Sequence, residues 1–98
     1  MKIKGAYDSK SKTIETIYGE VYEIEIKRVE VSDNEHSNRF MAKMIDEYYD
    51  DISGKSFKFI IFGSNSGTSN GVTNIEGTLA KNYSEACDIY LEAISEDM

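Results

Sequence analysis

Gly67-Thr68-Ser69-Asn70-Gly71 carries the G-x-S-x-G spacing of a nucleophile elbow. That motif places a serine on a sharp strand-to-helix turn, with an acid and then a histidine later in the chain. Here the segment leads into the β-prone run 72–80, and the single histidine, His36, lies upstream. The spacing therefore does not support acyl transfer. The surrounding loop, Gly63–Gly71, could instead cradle an anion through Ser64, Asn65, Ser66, Thr68, Ser69 and Asn70. It lacks the Gly-Lys-Ser/Thr ending of a phosphate-binding loop, and no helix opens behind it. Cys87 and His36 are the remaining nucleophile–base pair. Cys87 falls on the apolar stripe of an amphipathic segment, where a thiol behaves as a small hydrophobe. One histidine and one cysteine make no zinc pattern, and no EF-hand spacing occurs. The expectation is a chain with no catalytic residues, no metal and no cofactor.

Carboxylates are its least ordinary feature. Asp46, Glu47, Asp50 and Asp51 fill four of six positions beside Tyr48 and Tyr49. Glu23 and Glu25 alternate with apolar residues, which puts their carboxylates about 7 Å apart on one strand face, a spacing that can imitate phosphates. If 46–51 ended a helix, these acids would oppose its dipole and repel one another at four-residue spacing. Stability alone would not favour that placement. Asp46, Glu47, Tyr49, Asp50, Asp51, Glu23 and Glu25 are accordingly the candidate partner-binding residues; a solvated acidic face is the alternative.

The formal net charge is −7, unevenly spread. Residues 1–12 hold four lysines against one aspartate, whereas residues 13–54 hold eleven acids and four bases. This disfavours direct binding to nucleic acid or to an anionic membrane, since phosphate recognition needs clustered Lys and Arg. A basic protein partner is favoured electrostatically. The 98 residues suit one domain, expected over 1–98, and 40% hydrophobic content is ordinary for a folded chain. No apolar run approaches the ~18 residues of a membrane span, and 1–5 lacks the apolar core of a signal peptide. With one cysteine, these features point to a cytoplasmic protein.

The elements that must position these residues are arranged around Ser56–Gly63, the densest apolar run, which reads as a central strand. Phe57, Phe59 and Ile61 are expected on one face, with Ile60 and Phe62 on the other. Residues 2–7, 13–18 and 21–31 read as a meander of three strands, the third bulging or ending near Lys27-Arg28. Ser32 and Glu35 have capping-box spacing. They precede a stripe of Phe40, Met41, Met44, Ile45, Tyr48 and Ile52 that predicts a helix over 34–52, stopped by Gly54. A strand is expected at 72–80, with Gly77 as a bulge, then a helix over 83–95 capped by Asn82 and Glu85. The expected fold is α+β, in the order β-β-β-α-β-β-α, with two helices on one face of a five-stranded, mostly antiparallel sheet.

From size, charge and composition, the chain looks like the small acidic proteins that phages and mobile elements deploy against host nucleases and defence complexes. It is similar in the same respects to immunity proteins for nuclease toxins. That resemblance implies a non-enzymatic inhibitor whose carboxylate-rich surface occupies a basic, nucleic-acid-binding site on a protein target. Two other functions fit the sequence: a small-ligand or nucleotide-binding module using Gly63–Gly71, and a homo-oligomeric structural or regulatory domain paired through strand edges.

Overall fold

A computed structural model describes residues 1–29, 39–64 and 70–96. The strands are β1 (Lys2–Asp8), β2 (Thr13–Thr16), β3 (Val21–Lys27), β4 (Arg39–Asp50), β5 (Lys55–Ser64) and β6 (Val72–Ala80); one helix follows, α1 (Tyr83–Glu96). Each strand pairs antiparallel with the next, and β6 returns to β1, closing a barrel. The α+β expectation is thereby overturned: among the described residues the sheet has six strands and is closed, and α1 alone lies outside it.

So narrow a barrel is filled by its own side chains. Ile3, Ile14, Ile24, Ala42, Met44, Phe57, Ile60, Phe62, Ile75 and Leu79 form the interior, with Tyr7, Tyr22 and Tyr48 packed against them. A second apolar layer lies outside the wall, where Met41, Ile61 and Ala80 meet Ala86 of α1, and Val29 joins them just past β3. Strand β5 sits between its two neighbours and is covered on both faces, as the sequence implies. Its alternation slips, however: Phe57 joins Ile60 and Phe62 inside, while Phe59 and Ile61 turn outward toward α1.

Of the expected helix over 34–52, residues 34–38 lie outside the described residues, and Arg39–Asp50 form β4 instead. Met41 packs outward beneath α1, Ala42 and Met44 pack inward, and Tyr48 fills the barrel. A spacing of three here means opposite faces and a spacing of four the same face, so two-sided burial of a strand imitates a helical stripe. The register adds to the disguise, since Lys43 opposes Phe59 while Tyr48 opposes Phe57: five steps along β4 against two along β5. Phe40, Ile45 and Ile52, on the expected stripe, are exposed. The acids that would oppose a helix dipole meet no such dipole in a strand. The capping box at Ser32 and Glu35 lies outside the described residues.

Other local expectations hold. Strand β3 ends at Lys27. The Asn82 side chain accepts from the Glu85 N–H at 2.9 Å, and Glu85 accepts from the Lys81 N–H at 2.8 Å, so α1 begins at a real cap. Gly77 marks no bulge: it pairs with both Ile3 and Phe62 in unbroken register. Its role is space, since a Cβ there would lie 2.6 Å from Ile60 Cδ1 inside the barrel.

Candidate partner-binding surface

Up-and-down pairing sends the turns to two ends of the barrel. One end carries Met1, the 17–20 turn, the 51–54 turn and the start of α1; the other carries the 9–12 turn and Asn70-Gly71. The described residues of the two candidate sites thus separate. Asp50 and Asp51 lie at the first end. Ser64 closes β5 toward the second, where Asn70 is exposed with φ 55°; Asn65, Ser66, Thr68 and Ser69 fall outside the described residues.

All six candidate carboxylates lie on β3, β4 and the turn after β4. Glu23 and Glu25 are exposed on the outer face of β3, and Glu25 stands opposite Lys43 of β4. Glu25 pairs with Lys27 at 3.2 Å and Glu47 with Lys58 at 3.5 Å. Both pairs are exposed, so each contributes little to stability. Asp46 and Asp51 are exposed, and so is Tyr49, at 57%.

Asp50 differs from its neighbours. Its carboxylate accepts from the Ser53 hydroxyl at 2.6 Å and the Ser53 N–H at 3.2 Å, tying the 51–54 turn that Gly54 completes at φ 69°. Those hydrogen bonds hold its pKa below the usual aspartate value. Its stabilising contribution is therefore present above the ordinary aspartate range and is lost as pH falls through the depressed value. We expect Ser53→Ala to move the Asp50 titration midpoint upward in a carboxyl-detected NMR titration; an unmoved midpoint would show that Ser53 is not the cause.

The first end also exposes an apolar crown. Ile52 is 98% exposed and Tyr18 84%, with Ile17, Val21 and Met1 also prominent. Tyr18 is raised by a tight turn whose anchor is Thr16: the buried Thr16 hydroxyl accepts from the N–H groups of Tyr18 and Glu20, both at 3.3 Å, and Gly19 takes φ 83°. In the sequence Ile17-Tyr18 belong to a β-prone run and Ile52 to an apparent helical stripe, so nothing there marks them as surface.

Between Met1–Lys4, this turn, Tyr48 and Glu76, at the mouth of the barrel, lies a pocket of about 310 Å³. The Tyr48 ring stands 5.2 Å from that of Tyr22 and 6.4 Å from that of Phe57. Tyr22 donates its hydroxyl to Glu20 at 2.7 Å. Burial first, then the Glu20 hydrogen bond and charge, push the Tyr22 phenol well above its ordinary pKa; burial, then Glu20 and Asp50, raise Tyr48. Both phenols stay neutral in the folded protein, so stability is full below the ordinary tyrosine pKa of 10.0 and falls as pH rises above it. Tyr22→Phe should flatten the alkaline branch of a pH–melting-temperature profile. An identical branch in the variant would contradict this assignment.

Cys87 is half-buried against the outer apolar layer, as expected of a packing residue. His36 and Ser69 lie outside the described residues. Among the described residues, no three His, Cys, Asp or Glu side chains are placed to hold a metal ion, and no helix is long and apolar enough to cross a membrane. No protein-family model matches the chain. Comparisons with curated proteins and with solved structures likewise find no match.

Proposed function

We propose that this protein is a non-enzymatic interaction domain, an inhibitor of the anti-defence or immunity kind, whose carboxylate surface occupies a basic, nucleic-acid-binding site on a protein target. The observation that carries this is convergence. Glu23, Glu25, Asp46, Glu47 and Asp51, separated by up to 28 positions in the chain, lie on two adjoining strands and the following turn, the same stretch that exposes Tyr49 and Ile52. An apolar centre with a charged rim is the usual anatomy of a specific interface. The carboxylates bring a basic partner in and fix its orientation, while the apolar residues supply contact area. A second copy of the chain is a poor occupant, because it would bring like charges together.

The test begins by capturing a partner on immobilised protein and identifying it by mass spectrometry. The purified partner is then offered labelled duplex DNA with and without this protein. Displacement of the DNA is expected. Simultaneous binding of DNA and this protein would sink the inhibitory mode.

A further inference from the structure

We infer that the barrel mouth is an anchor pocket for one aromatic side chain carried on a basic segment of the partner. This rests on the proposed interaction role and adds where the partner's affinity is concentrated. At about 310 Å³, the pocket is at the small end of ligand sites, suited to one ring and its backbone. Its walls are largely apolar, with Ile3, Ile17 and the rings of Tyr18 and Tyr48 among them. Lys2, Lys4, Thr16 and Glu76 supply its polar lining. Tyr48 adds a hydroxyl that has no hydrogen-bond partner among the described residues and stays neutral.

Charge around the mouth is mixed. Glu20, Asp50 and Asp51 act on the Tyr48 phenol. Lys2, Lys4 and Glu76 line the pocket itself, with Glu76 opposite Lys4 in the β1–β6 register. Through Tyr48 the mouth is thus continuous with the carboxylates of the 51–54 turn. A cationic residue beside the anchor reaches those carboxylates, and the peptide carbonyls can face the lysines. The lip is incomplete as a sheet, which leaves it accessible: β1–β2 register starts only at Gly5–Thr16, so Lys2 and Ile3 have no strand partner on that side. Deep aromatic anchors ringed by polar contacts are where interface energy typically concentrates.

Short synthetic peptides test this without the partner. The probes are acetyl-Arg-Lys-Phe-Gly-amide, the same peptide with Ala for Phe, and the same peptide with Glu-Glu for Arg-Lys, each titrated into ¹⁵N-labelled protein. The first should shift the amides of Ile3, Thr16, Tyr18 and Tyr48 saturably. Its Ala counterpart should bind about tenfold more weakly, the loss expected for one partly buried ring. Ile17→Ser and Tyr18→Ala, both at exposed positions, should weaken the Phe peptide while leaving the rest of the spectrum in place. Shifts that fall elsewhere, or equal affinity for the Phe and Ala peptides, would overturn the anchor. The charge arm separates the two proposals. If the Glu-Glu-Phe peptide binds as well as Arg-Lys-Phe, the mouth is an aromatic pocket and the preference for a basic partner fails. If charge matters but the ring does not, the acidic surface stands and the anchor falls.

Discussion

Gly5→Ala should unfold the barrel, or cost it more than about 3 kcal/mol, while Gly77→Ala should cost about 1–3 kcal/mol. Both glycines face the interior on neighbouring strands, at register positions Gly5–Ile75 and Ile3–Gly77. They differ in what an added methyl meets. At Gly5 a Cβ runs into the backbone carbonyl of Glu15, a residue locked to β1 by the Ala6–Glu15 pairing. Relieving that clash separates β1 from β2, and β2 is only four residues long. At Gly77 the obstacle is Ile60 Cδ1, the end of a side chain that can turn, though within a filled interior. Urea denaturation of the two variants decides the matter. A Gly5→Ala protein within about 1 kcal/mol of wild type would mean β1 and β2 do not lie this close.

Tyr49→Ala combined with Ile52→Ala should leave folding intact and shorten the life of the partner complex about a hundredfold. Each side chain is largely in water, at 57% and 98% exposure, so truncation removes little from the core. Burying such a residue at an interface centre is worth about 1.5–3 kcal/mol, or roughly tenfold or more apiece. The effect should fall on dissociation, because apolar contacts form after encounter. Surface plasmon resonance with the captured partner separates the rates. An unchanged dissociation rate would remove Tyr49 and Ile52 from the interface.

The sequence spoke clearly where one element obeys one period. The α1 cap at Asn82 and Glu85, the end of β3 at Lys27 and the doubly covered run around Ile60 were all legible. It misled where a strand is buried on two faces and broken in register. Met41, Met44 and Tyr48 then repeat at three and four, and only pairing with β5, remote from local propensity, tells strand from helix. Closure was equally hidden, because β1–β6 pairing joins residues as distant as Lys2 and Thr78. As for the site, the carboxylates were visible as a cluster, but not the crown beside them. Ile17, Tyr18 and Ile52 look like core residues in a linear reading. They become surface because the turns at that end of the barrel raise them away from it. Nor could spacing distinguish Asp50, which holds its own turn, from Asp46 and Asp51, which hold nothing among the described residues.

The most direct measurement is the association rate of the captured partner with a five-fold neutralised protein, at low and at physiological salt. The variant carries Glu23→Gln, Glu25→Gln, Asp46→Asn, Glu47→Gln and Asp51→Asn, and it spares Asp50 because that residue is structural. Its melting temperature should stay close to wild type, since both ion pairs it removes are exposed. If the carboxylate face enters a basic site, association slows by about ten- to a hundredfold at low salt, and its dependence on ionic strength flattens. An association rate and salt slope equal to those of the wild type, in a folded variant, would show that these five carboxylates only solvate the surface.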